Sequence, residues 1–158
     1  MPPQPETNRA GASMPQTDHI ADGKARPVIY FPGGLPGFPG ATHFVLRRAS
    51  GPFDAFLVMQ SAEDPDLRFL MLPCANGTQP LRAADLEAAC AAHGLASQQV
   101  AVLLVVSRQP AEEGTDLAAR LCANLRAPVL IDTTNGIAVQ HVLDSPGYSL
   151  RTPLPQAA

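Results

Sequence analysis

Between Tyr30 and Gly40 the chain reads Tyr-Phe-Pro-Gly-Gly-Leu-Pro-Gly-Phe-Pro-Gly, three prolines and four glycines set among three aromatics and a leucine. Proline fixes φ and removes a backbone donor, and glycine opens the positive-φ region. The run can be neither helix interior nor central strand. It must bend tightly, and it presents Leu35 and Phe38 as apolar knobs. Flexible linkers are polar, and this segment is not. A loop of this kind either plugs its own core or meets a partner.

On both sides of the loop the pattern is that of short β-strands broken by turn residues. Pro27 to Phe31 reads as a first strand and Thr42 to Arg48 as a second. Phe53 to Gln60, apolar on nearly both faces, reads as a central third strand. Leu67 to Leu72 reads as a fourth, stopped by Pro73. Leu81 to His93 has helical spacing and a Gly94 stop. Gln99 to Val106 is a continuous apolar strand. Residues 116–125 fit a helix by propensity and a strand by the alternation of Leu117, Ala119, Leu121, Ala123 and Leu125, and both readings stay open. Ala127 to Asp132 and Ile137 to Asp144 read as a hairpin around Asn135-Gly136. Tyr148 to Thr152 reads as a last edge strand. Eight or nine short strands and one secure helix predict a mostly β, compact antiparallel β-barrel-like or sandwich domain with one or two short helices, the main helix closing one end.

The 158 residues are 46% hydrophobic and 16% charged, which predicts one folded domain. Residues 1–26 lack apolar periodicity and hold four prolines, so they read as a disordered tail. Residues 27–154 form the expected domain, and 155–158 a frayed end. No apolar run is long enough to span a bilayer, and the first 26 residues carry no secretory h-region, so a cytoplasmic protein is expected. The formal net charge is −3, Lys24 is the only lysine, and no basic cluster exceeds Arg47-Arg48. Direct nucleic-acid binding and membrane binding are therefore not expected.

Cys74, Cys90 and Cys122 are scattered, with no metal-ligand spacing, and read as structural thiols. No metal or cofactor is expected. The histidines His43 and His141 fall inside β-runs. The carboxylates Glu63, Asp64 and Asp66 share one polar turn without calcium-loop spacing. Gly33-Gly34 and Gly37 are followed by a strand and attended by no lysine, which removes a phosphate cradle. No catalytic constellation emerges, and an enzyme is not expected. An enzymatic alternative would join the Glu63-Asp64-Asp66 turn to His141.

Five segments, taken in order, resemble the flagellar assembly factor FliW family. They are Phe31, Gly34, Leu35, Gly37 and Phe38; the apolar strand and acidic turn Leu57 to Asp64, with Gln60-Ser61; Arg68-Phe69-Leu70 with Pro73; Asn124, Leu125, Ala127 and Pro128 with Val129 to Ile131; and Gln140, Val142-Leu143, Tyr148, Arg151 and Pro153-Leu154. Cys74 to Gly77, Asp132, His141 and the proline-rich tail depart from the family pattern.

The resemblance implies a non-catalytic, mostly antiparallel β-barrel-like protein with two partners. One is cytoplasmic flagellin, held before export. The other is CsrA, a small RNA-binding translational repressor, which the family is thought to engage away from its RNA site. Competition between the two would couple flagellin translation to flagellum assembly. The candidate partner-binding residues are Leu35, Phe38, Gln60, Ser61, Asp64, Asn124, Gln140, Tyr148 and Arg151. The alternative reading is a small β-barrel ligand-binding domain with a helix-capped apolar pocket.

Overall fold

The structure is a computed structural model that describes residues 18–19, 25–75, 80–109 and 121–154. Two pieces of the N-terminal segment, β1 (Asp18–His19) and β2 (Ala25–Arg26), pair antiparallel in a two-residue ladder. The rest of the expected tail, and the expected frayed end at 155–158, lie outside the described residues.

Nine further strands follow: β3 (Val28–Tyr30), β4 (His43–Arg48), β5 (Leu57–Ser61), β6 (Arg68–Cys74), β7 (Val100–Arg108), β8 (Leu121–Ala123), β9 (Val129–Asp132), β10 (Ile137–Gln140) and β11 (Thr152–Pro153). One α-helix, α1 (Ala83–Ala92), lies between β6 and β7, and single 3-10 turns occur at Gly51–Phe53 and Ser97–Gln99. The sheet runs β7-β6-β5-β4-β3-β10-β9, and β9 pairs back onto β7, closing a seven-stranded barrel. Every pairing is antiparallel except the single contact of β10 with β3, Ile137 opposite Tyr30.

β7 is the spine of the fold. Its first half, Val100 to Leu103, pairs with β9, and its last three residues pair with β8 on the same edge. β11 then adds to β8. The continuous apolar run of β7 has a simple cause: both its faces are covered. Leu103 points into the barrel with Ile29, Phe31, Phe44, Met59, Met71, Val129, Ile131 and Ala138. Val102 and Leu104 point outward, against Leu81, Ala89 and Cys90 at α1, with Ala123, Leu130 and Leu143. Adjacent side chains alternate faces on a strand, so only a strand buried on both sides needs an unbroken apolar sequence.

The helix therefore lies along the outer wall of the barrel. The expectation that it closes one end is corrected. The interior is filled by side chains, Phe44, Met59, Met71 and Phe31 among them, so α1 caps no interior pocket. Its C-terminus matches the sequence signal: Gly94, at φ +66°, lets its own N–H reach Ala91 O while Leu95 N–H reaches Cys90 O. These two bonds satisfy carbonyls the helix would otherwise leave open.

Several boundaries differ from expectation. The third strand starts at Leu57 rather than Phe53, because Gly51–Phe53 forms a 3-10 turn. Pro73 lies within β6, opposite Leu103. β5 reaches only to Met71, so Pro73 stands where β6 has become a one-sided edge, a position that tolerates a missing donor. The hairpin strand after Asn135-Gly136 ends at Gln140, not Asp144. Its ladder runs out at Pro128, which accepts from His141 N–H but has no N–H to return. The last strand is Thr152–Pro153, and Tyr148 stands outside it. Of the open stretch 116–125, the described part contains β8, a strand whose three residues are all buried.

Candidate functional site

The bent loop plugs the core with one of its apolar knobs and leaves the other exposed. Phe38 N–H donates to Leu35 O (2.7 Å), Ala41 N–H to Phe38 O (3.0 Å) and Gly34 N–H to Phe31 O (3.0 Å), so the loop is a stack of tight turns. Leu35 is 3% exposed and plugs the barrel interior. Phe38 is 42% exposed and rests edge-on against Phe69, ring centroids 5.7 Å apart. Gly34 sits at φ +73°, and a Cβ there would lie 2.5 Å from Pro39 O. The turn thus demands glycine for conformation and for space.

A groove of about 360 Å³ lies beside the loop. Pro32, Gly33, Gly34 and Pro36 form one wall, Ile137 to Gln140 of β10 another, and His93 and Leu95 after α1 the third. It occurs where the barrel seam is weakest, since β10 touches β3 at one residue pair. At its margin His93 Nε2 and His141 Nδ1 are 2.9 Å apart, with the rings edge to face. Burial, and then the neighbouring His93, push the His141 pKa below its usual value, with Asp144 opposing.

Asn124 and Gln140 converge on one residue. Asn124 Oδ1 accepts from the N–H groups of Arg126 (3.0 Å) and Ala127 (3.1 Å), an Asx turn. Gln140 Nε2 donates to Ala127 O at 3.0 Å. Two of the five ordered motifs therefore fasten the turn that leads into β9.

Gln60, Ser61 and Asp64 build the turn after β5. Gln60 Nε2 donates to Pro65 O (2.9 Å), buried Ser61 Oγ accepts from Asp64 N–H (3.0 Å), and Asp64 Oδ1 accepts from Asp66 N–H (3.1 Å). Glu63 is the hub of this turn. It accepts from Thr42 Oγ1 (2.7 Å), His43 N–H (3.1 Å) and Ser61 Oγ (3.2 Å), and its Oε1 lies 3.1 Å from His43 Nδ1. Burial opposes ionisation of Glu63, but the bonds from Thr42, His43 and the backbone outweigh it and hold the carboxyl at about 2. The His43 ring also stacks on Tyr30, centroids 4.9 Å apart. Glu63 is thus engaged with His43, and His141 with His93, so the two halves of the enzymatic alternative belong to separate clusters. Among the described residues no group of three His, Cys, Asp or Glu side chains could hold a metal ion. No helix among them is long and apolar enough to cross a membrane.

Tyr148 anchors the C-terminal segment to α1. Its hydroxyl donates to Asp85 Oδ2 at 2.6 Å and accepts from Arg82 N–H at 3.0 Å, and the Arg82 guanidinium lies 5.4 Å from the ring centre. Ser145 Oγ adds a bond to Asp85 Oδ1 at 3.2 Å. Arg151 is exposed, and its N–H bonds Ser149 Oγ at 3.1 Å. Sequence reasoning missed Asp85, Arg82 and His93. Their neighbours Tyr148, Ser145 and His141 lie 48 to 66 residues away along the chain, so no local spacing could connect them.

The family described as FliW protein matches residues 14–154. The flagellar assembly factor FliW of Azoarcus sp. (strain BH72) is 32% identical over 127 residues, covering 78% of this chain and 84% of that one. The flagellar assembly factor FliW of Symbiobacterium thermophilum is 33% identical over 133 residues, covering 83% and 91%. A crystal structure of the flagellar assembly factor FliW superposes with a TM-score of 0.57 over 84% of this chain and 89% of its own, at 23% identity, which shows a shared fold. With a profile match across most of its length and relatives at this identity, the chain belongs to the FliW family of flagellar assembly factors.

Proposed function

We propose that this protein is a non-catalytic, cytoplasmic regulatory binding protein that holds flagellin and, in its absence, the translational repressor CsrA. The observation that carries this reading is the family match over residues 14–154, which spans all five ordered motifs. Two ligands that compete for one protein, through overlapping surfaces or coupled sites, turn the level of one into the free level of the other. A mildly acidic chain suits a basic partner, mainly through encounter rate.

The proposed partner surface is bordered by the exposed ring of Phe38, the β10 edge at Gln140 and the exposed Arg151. Leu35, Gln60, Ser61, Asp64, Asn124 and Tyr148 shape its supports through the bonds and packing described above. Aromatic and arginine side chains are favoured anchors at interfaces, and a thinly paired strand edge can accept an extended segment.

The test is pull-down of CsrA by the tagged full chain, with and without purified flagellin. CsrA should be recovered alone and lost as flagellin is added. Recovery of CsrA regardless of flagellin would remove the switch, and recovery of neither partner would remove the reading. Calorimetry of Phe38→Ala and Arg151→Ala should show weaker binding of at least one partner with the fold retained. Unchanged affinity for both would remove the proposed surface.

A further inference from the structure

A second groove, of about 410 Å³, lies on a different part of the barrel wall. Its floor crosses the sheet in register: Arg47 of β4 stands opposite Val58, Val58 opposite Leu70, Leu70 opposite Val106, and Arg108 opposite Leu121. Ala49, Ser50 and Phe53 close one end through the 3-10 turn. Val58, Leu70, Val106 and Leu121 belong to neither the interior cluster nor the cluster under α1, so this is a third apolar surface. Arg47 borders it on β4, and Arg108 stands on β7 beside Leu121. Neither guanidinium meets a carboxylate among the described residues, whose ion pairs are His43 with Glu63 and Arg82 with Asp85.

We propose that this groove docks an acidic amphipathic helix of a protein partner, apolar stripe down and carboxylates on both flanks. The strands that carry the two arginines are three spacings apart, about 14 Å along the wall. A helix about 10–12 Å wide can lie across that span and place a carboxylate at each side. The occupant sits on the face of a paired sheet, where strand backbones have no donors or acceptors to offer. An extended peptide would leave its own backbone unsatisfied there, whereas a helix satisfies its backbone internally. The apolar floor supplies the burial, and the arginines select the sign of the flanking charge.

The probe is a synthetic 14-residue helical peptide with leucines at i, i+3, i+4 and i+7 spacing and glutamates on both flanks. Its control carries lysines in place of the glutamates. Binding to the full chain is followed by fluorescence anisotropy, and the site is mapped by amide chemical shifts. The glutamate peptide binds, its affinity falls with salt, and the shifts centre on Val58, Leu70 and Val106. The combined Arg47→Glu and Arg108→Glu variant binds it about tenfold more weakly. Arg47→Gln and Arg108→Gln singly give smaller losses and serve if the double variant fails to fold. Equal binding of both peptides, an unchanged affinity in the variants, or shifts confined to the groove beside β10 would each overturn the proposal. So would dodecanoate binding where the peptide does not, since that would assign the groove to a small anionic amphiphile. A final arm replaces Glu112 and Glu113 by Gln and Asp116 by Asn. Unchanged peptide affinity supports an external partner, and a gain of about tenfold would assign the groove to the chain's own acidic residues.

Discussion

Tyr148 donates its phenolic proton to Asp85 across 63 residues of sequence, at 2.6 Å, and accepts the backbone N–H of Arg82 with the same oxygen. The pair ties the segment after β10 to the first turn of α1. The bond from Tyr148 holds the Asp85 carboxyl below its usual range, burial works against it, and Arg82 and Ser145 add to the lowering. A carboxylate in the first turn also suits the positive end of the helix. Tyr148→Phe keeps the ring and removes only this oxygen. We expect it to lower the melting temperature by about 2–4 °C, measured by circular dichroism. An unchanged melting temperature would mean that the hydroxyl contributes nothing to docking this segment.

Acid should loosen the turn after β5 through Glu63. Its carboxyl titrates at about 2 in the fold, against an ordinary value of 4.5. Between those values the unfolded chain binds more protons, so stability rises with pH through the window. The contribution is complete above about pH 4.5 and is lost as pH falls toward 2. Glu63→Gln should flatten the fall in melting temperature between pH 5 and pH 3. Parallel curves for the two proteins would contradict the role given to the Thr42–His43–Glu63 bonds.

The bent loop offers a paired comparison of strain with and without collision. Gly34 and Gly37 both hold positive φ, at +73° and +86°, but only Gly34 has backbone in the way of a Cβ. Gly37→Ala should cost about 1–2 kcal/mol, the ordinary penalty of a left-handed residue. Gly34→Ala should cost clearly more, because Pro39 O must move as well. Urea denaturation measures both, and equal losses would show that the loop yields at Pro39.

Leu103 and Leu104 are neighbours that face opposite layers. Leu103 lies in the barrel interior and Leu104 under α1. Truncation of either to alanine should cost about 2–5 kcal/mol. A strand with one solvent face would lose that much at one position and almost nothing at the next. Denaturant midpoints of the two variants therefore test the two-layer core directly.

Much of this architecture was written locally. Short apolar runs bounded by turn residues placed β3, β4, β6, β7 and the β9–β10 hairpin, because such runs and an Asn-Gly turn need no distant partner. Leu81 to His93 with Gly94 placed α1, because a helix stop is a property of one residue's φ. The order of five motifs carried the family. Only the tertiary structure decided where α1 lies, since a stripe of Leu86, Ala89 and Cys90 fits any apolar surface and does not say which. It also divided the bent loop, sending Leu35 into the barrel and leaving Phe38 on Phe69. It joined Tyr148 to Asp85 and Asn124 to Gln140 through Ala127, and it set Arg47 and Arg108 on one face of the wall, three strands apart. These relations depend on how strands and helix pack on one another, which brings together residues that no local period connects.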